Sequence, residues 1–361
     1  MIENLRDAFG VVNLVFFLSL LVGFTFGWLA ERSDFCIRAS IVSLLDGQIA
    51  GTNRNSQNIL MLLIAIITAF LGVQIANLYE LLDYSNSLHG RVDVNVVAVF
   101  IGSTIFGVGM WLSRGCMSRL VVLSGRGNVR AFIALFFTAF VALSTLTGIL
   151  SKPRLLISQL ALPDQINHAL LSLGDFFVPI ASVFFVYMLI RQRRVLSISK
   201  LSLAICIGLL VPLCFYITSV IGADDFEPVE VEGLVFTSSV ASTLSYLAYS
   251  TALTPKFGMG LVLGGLLGSC LSSLFARRAK LEGFQNAPHP LRYIAGAMLM
   301  GFGGVAAGGC TFGWLLTGSS VGNGGALIAI TGFFAGTYVI SKISVLLFGW
   351  GQHSNKSLSE A

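Results

Sequence analysis

Charge is what this sequence has least of. Only 11% of its 361 residues are Asp, Glu, Lys or Arg, against roughly 25% in soluble globular chains, while 55% are apolar and the mean hydropathy is +0.85. That excludes a water-soluble domain. Histidine is scarcer still: His89, His168, His289 and His353 all fall in expected loops or the tail, and no apolar stretch carries an acid in its central part. A buried carboxylate or histidine relay for proton coupling therefore has no obvious carrier. CxxC is absent, which disfavours a dithiol redox centre, and so is any Walker A motif, which excludes an ATPase. The six cysteines (Cys36, Cys116, Cys206, Cys214, Cys270, Cys310) lie within or beside apolar stretches and away from the larger loops, so they read as free thiols. A metal site would have to be built from thiolates alone; no metal and no cofactor is expected.

What is present is apolar length. Windows at about 12–30, 58–80, 94–112, 131–150, 174–190, 201–221, 258–276, 291–308 and 323–348 predict nine spanning helices, each near the roughly 20 residues that cross a hydrocarbon core of about 30 Å. The expected fold is an all-α polytopic membrane protein, one integral domain over 1–361. The first apolar run follows a segment of mixed charge and lacks a small-residue cleavage pattern, so it is expected as a retained helix. Four further stretches are too short or too polar for ordinary spans: 31–45, 113–125 and 309–320, each with a cysteine, and the Ser/Thr-rich 236–255. Irregular backbone at membrane depth survives only where protein buries it or a cavity hydrates it, so all four are expected as re-entrant half-helices.

An internal repeat appears at an offset of 194 residues. Gly102, Gly107, Gly109, Gly115 and Cys116 align without gaps on Gly296, Gly301, Gly303, Gly309 and Cys310. Tight helix packing by small residues accounts for the glycines but not for the paired cysteines. The formal charge is +5, and its basic clusters, Arg191 to Arg194 and Arg277 to Lys280, sit between apolar stretches as cytoplasmic loops do; nothing in them suggests a nucleic-acid face. With the N-terminus outside and the C-terminus cytoplasmic, only Arg6, Arg91, Lys152, Arg154 and Lys256 of the 22 basic residues fall outside. The two copies (pseudo-repeats of about 11–190 and 200–348) then run in opposite senses, an inverted-topology repeat with its site near the midplane.

The chemistry falls to Cys36, Cys116 and Cys310, each on an interrupted element. Gly115, Gly308 and Gly309 let backbone approach a ligand closely, and half-helices starting there would aim N–H groups at a small anion. A thiol is a soft, weak donor suited to a sulfur-bearing ligand. Arg32, Arg38, Arg114 and Arg119 stand ready to steer an anion or, equally, to snorkel to the headgroups; Glu31 and Asp34 are expected to neutralise neighbouring arginines. Cys206, Cys214 and Cys270, within ordinary spans, read as small hydrophobes.

At these residues the chain resembles the YeeE/YedE family of bacterial inner-membrane thiosulfate transporters and their sulfur-transport relatives. The resemblance rests on RSDFC ending at Cys36, on a glycine-rich helix ending in Gly115 and Cys116, and on GxGxxxAGGCTxGxxLTG from Gly301 to Gly318. It implies nine spans plus re-entrant helices in an hourglass, and three cysteines that pass thiosulfate by transient thiol-to-sulfur hydrogen bonds, here Cys36, Cys116 and Cys310. It also implies a cytosolic sulfurtransferase partner of the TusA type. Asp34 stands where a neutral or basic residue is more usual, and Met117 to Arg119 replace a smaller run.

Three readings stay open at this point: an importer of thiosulfate or a related sulfur-containing anion, embedded in membrane lipid; a membrane thiol enzyme that oxidises or transfers sulfur; and a carrier of some other inorganic anion.

Overall fold

The computed structural model describes residues 6, 10–45, 53–90, 94–163, 165–167, 169–172, 197–224, 229–283 and 290–348. Among them the secondary structure is helical, with an isolated bridge between Asn128 and Glu282 and no strand. In chain order the helices are α1 (Val11–Ser33), α2 (Ile37–Leu45), α3 (Asn53–Leu78), α4 (Val96–Leu112), α5 (Met117–Gly125), α6 (Val129–Thr147), α7 (Ser151–Gln159), α8 (Ile198–Tyr216), α9 (Thr237–Ala248), α10 (Phe257–Phe275), α11 (Pro290–Ala306) and α12 (Gly325–Phe348). A π-helical turn (Ile217–Ile221) extends α8, and another (Gly313–Gly318) lies between α11 and α12.

Seven helical stretches among the described residues are long and apolar enough to cross a membrane, which makes this a multi-pass membrane protein. α11, also expected to span, has 17 residues and so reaches roughly 26 Å. The expected span over 174–190, the basic cluster at 191–194, and His168, His289 and His353 lie outside the described residues. The four stretches expected to be broken are short helices or turns, at α2, α5, α9 and Gly313–Gly318.

Side-chain caps start α4 and α6: Asn95 accepts from the Val97 and Ala98 N–H groups, and Asn128 from that of Ala131. The outer surface carries apolar stripes such as Phe132, Phe136 and Phe140 on α6, all exposed and spaced one turn apart, as a lipid-facing helix requires.

Because lipid is as apolar as leucine, such helices are held by close packing, and small residues set how close they come. On α10, Gly260 lies against the Phe16 carbonyl and Gly264 against the Phe24 amide, while Gly23 on α1 lies against Leu261. Positions rise together, so α1 and α10 run in the same direction. α4 and α11 run oppositely: Gly102 meets Ala306 and Ala307, Gly109 meets Gly296 and Met300, and Gly303 meets Phe106. All four of these glycines belong to the 194-residue repeat, and Gly109 packs on Gly296 and Gly303 on Gly102. Gly332 and Gly336 of α12 lie on Phe100 and Val108, so α12 runs parallel to α4.

Candidate functional site

The three cysteine-bearing breaks share one local design. Each helix stops at a left-handed residue two positions before the cysteine: Asp34 (φ 52°), Arg114 (φ 56°) and Gly308 (φ 70°). Two of the three are not glycine, a strained choice for a chain that could have used it. Arg114 and Gly308 are separated by the repeat offset of 194. At Asp34 and Gly308 the chain turns back, with Phe35 N–H donating to the Ala30 carbonyl (3.3 Å) and Gly309 N–H to that of Gly304 (2.8 Å). The cysteine then caps the next helical turn: the carbonyls of Cys36, Cys116 and Cys310 accept from the amides of Ser40 (3.3 Å), Leu120 (2.9 Å) and Trp314 (3.0 Å). The Cys310 sulfur also accepts the backbone N–H of Gly313, three residues on, at 3.5 Å, whereas the Cys116 sulfur makes no such cap to its own helix. A thiol thus occupies the place that Ser, Thr or Asp normally holds at a helix start.

Cys36 and Cys116 are brought together. Their side chains interact directly, and Cys116 Sγ lies 3.3 Å from Ser118 Oγ. Cys116 and Cys310 are fully buried and Cys36 partly so; all six cysteines are free. Arg119 and Arg38 act electrostatically on Cys36, and Arg114 on Arg38. Arg119 pairs with Asp34 at 3.6 Å, as expected for that carboxylate. Glu31 instead is buried and accepts from Ser272 Oγ (2.9 Å), so it serves the α1 to α10 contact. Arg32 is exposed with its guanidinium 5.1 Å from the Trp28 ring centre, and Gly115 packs on Leu120.

Sequence reasoning missed Arg292, which joins Arg38 and Arg114 in mutual repulsion and stacks over Trp111 at 4.3 Å. A signal was available: Arg292 lies in the first turn of α11, where the helix dipole disfavours a cation. Also missed was an aromatic cluster between the Cys36 and Cys310 breaks. Phe312 sits 5.7 Å from Phe35, 5.2 Å from Phe26 and 5.6 Å from Phe236, ring centre to ring centre.

Beside Cys310 stands His89, from the loop joining α3 to α4. A tight turn, with Gly90 N–H donating to both the carbonyl (3.1 Å) and the hydroxyl (2.9 Å) of Ser87, carries it inward, and Asn323 Nδ2 donates to its carbonyl at 2.7 Å. Its ring is 2% exposed and meets Trp314 edge-on at 4.8 Å. Burial pushes its pKa from 6.5 down to about 4, so the imidazole is neutral near pH 7. An unfolded chain binds this proton below pH 6.5 and the folded one only near pH 4, so stability falls as pH drops through that window, by at most about 3 kcal/mol. The thermal midpoint in detergent is therefore expected to drop from pH 7 to pH 5, and by less in His89→Phe; an equal drop in both would show that the buried neutral ring is not the cause.

Two cavities open near these elements. One of about 260 Å³ is lined by Asn95, Arg154, Ser158, Ala307 and Gly308 and adjoins the Cys310 break. The other, about 290 Å³, is lined by Val12, Glu230, Glu232, Lys256 and Phe257, with Lys256 and Glu230 paired at 3.6 Å. The first suits an anion better because a cation faces it without an acid in its lining. No cluster of three potential metal ligands occurs among the described residues.

Comparison with known proteins places this geometry in context. A family model described as "Sulphur transport" matches residues 32–339. The chain is 26% identical over 317 residues to "Thiosulfate transporter TsuA" of Spirochaeta thermophila, covering 83% of this chain and 90% of that one. It is 24% identical over 323 residues to a protein of the same name from Escherichia coli K12, with 81% and 84% covered.

Proposed function

The chain belongs to the sulphur-transport family, and from that premise we propose that it imports thiosulfate, handed along by Cys36, Cys116 and Cys310. One observation carries this reading: three thiols, each seated by the same break at the start of a short helix. The cavity at Gly308 with Arg154 is the outer mouth, Cys310 the first station, the Phe26, Phe35, Phe236 and Phe312 cluster the constriction, and the adjacent Cys36 and Cys116 the second. Arg38, Arg114 and Arg292 then receive the anion on the cytoplasmic side.

This assigns the chain to the inner membrane with the N-terminus outside. The proposed topology has nine spans, of which the expected one over 174–190 lies outside the described residues. The opposed run of α4 and α11, whose repeat-related glycines pack on one another, supports two inverted halves. A TusA-like sulfurtransferase is the proposed acceptor at the cytoplasmic mouth.

A second reading has one observation in its favour, since the Cys36 and Cys116 pair is close enough to serve as a redox or sulfur-transfer centre. Thiosulfate labelled separately on its two sulfurs separates the two in proteoliposomes. Import delivers both labels to the lumen in equal amount, whereas sulfur transfer leaves the sulfonate sulfur outside. Arg292→Ala is expected to slow uptake on the order of tenfold at low salt, with the gap narrowing at high salt as screening weakens the lost attraction. An undiminished rate would remove Arg292 from the pathway.

A further inference from the structure

We infer that His89 is the partner of Cys310 in the outer station and hydrogen-bonds the oxyanion end of the sulfur anion while the thiol faces its sulfur end. The inference deepens the thiosulfate reading and rests on it.

His89 Nε2 is buried and has no hydrogen-bond partner among the described residues, which is costly for an imidazole nitrogen unless something else satisfies it. It points at backbone on both sides of Cys310. A β-carbon on Gly309 would stand 2.9 Å from Nε2, and one on Gly313 would stand 3.3 Å from it. At both glycines the missing side chain lets the ring lie directly on the backbone that flanks Cys310, with Nε2 facing it. A ligand oxygen bonded to Nε2 would therefore sit beside the Cys310 turn.

The neighbouring indole cannot do this work, because Trp314 Nε1 already donates to the Ala307 carbonyl at 2.8 Å. The backbone N–H of Gly313 is likewise turned to the Cys310 sulfur. Thr311 Oγ1, next along the chain from Cys310, is also buried with no partner among the described residues, but His89 is the group that a dedicated turn and the Asn323 contact hold against this backbone. A neutral imidazole suits the task. It recognises an acceptor-rich anion at short range without the long-range attraction that would trap it.

The two ends of the ligand would then be told apart by chemistry. A hard nitrogen donor prefers oxygen, and a polarisable thiol tolerates sulfur. Sulfate offers oxygen at both ends and so satisfies only one of the pair well.

Uptake of labelled thiosulfate by proteoliposomes carrying His89→Phe, His89→Gln or the wild-type chain tests this. His89→Phe keeps a ring against Trp314 but loses the donor, and is expected to raise KM about tenfold with a smaller change in maximal rate. His89→Gln restores an N–H and is expected to recover most of the loss. A wild-type KM in His89→Phe, or equal impairment of both variants, overturns the proposal in favour of a packing role. Should neither variant accumulate, the ¹⁵N resonance of Nε2 in the wild-type protein decides: it shifts on adding thiosulfate but not chloride if His89 binds, and an unchanged resonance overturns the proposal. Failure of wild-type uptake refutes the importer reading itself and is seen separately from the variant-to-wild-type ratio.

Discussion

Cys116→Ala and Cys310→Ala each lower thiosulfate uptake by about 10- to 100-fold, the loss expected when one hydrogen bond to a charged ligand disappears from a narrow path. Cys36→Ala does the same, and removes with it the thiol pair at the second station. Serine at Cys116 keeps a donor in nearly the same place, next to Ser118, and is expected to fall between alanine and the wild type. Cys206→Ala serves as the control, since that thiol is exposed on the flank of α8, and its uptake should stay within about twofold of wild type, as for an ordinary surface change. The measurement is initial uptake per folded transporter, with folded protein quantified by size-exclusion chromatography. Undiminished uptake in both Cys116→Ala and Cys310→Ala would sink the relay.

The second large effect is structural. In Gly27→Val the new side chain falls on the Gly265 carbonyl and within 2.9 Å of the Ser269 amide, both backbone atoms that cannot swing aside. The α1 to α10 seam must then open, and with it the packing that replaces a hydrophobic driving force between helices in lipid. Overpacking of this kind costs about 1–3 kcal/mol, and more where backbone is struck. Loss of the monodisperse detergent-solubilised peak, or a markedly lower melting midpoint, is the expected result. Gly283→Ala, with nothing within 4 Å of its β-carbon, should behave as wild type. An unaltered Gly27→Val protein would mean that the seam does not hold α1 and α10 together.

The sequence made the broken elements legible because polarity, a cysteine and shortness coincide at 31–45, 113–125 and 309–320, a local signal that tertiary context did not override. It also exposed the glycine repeat, since close backbone contact leaves a mark in composition. His89 left no such mark. Its role depends on a contact with Gly309 and Gly313 more than 200 residues away, and a histidine in a loop of turn-forming residues reads as solvated. The aromatic cluster was equally hidden: Phe26, Phe236 and Phe312 come from three separate elements, each in a run where phenylalanine is ordinary. Asp34 and Glu31 show the same limit, since both were expected to meet arginines and only Asp34 does, Glu31 having been claimed by Ser272.

The recurring break at the three cysteines has a consequence for what can pass. A sulfur that already accepts an amide from its own helix has little accepting capacity left, and what it still offers is its S–H. Cys310 is seated in this way, so on the proposed path the first station would offer a donor and little accepting capacity. Ammonium and amines, which need an acceptor, are then expected to fare worse there than a species that is all acceptor. Selectivity of this kind would be set by the backbone turn at Gly308, which seats the Cys310 sulfur on its own helix.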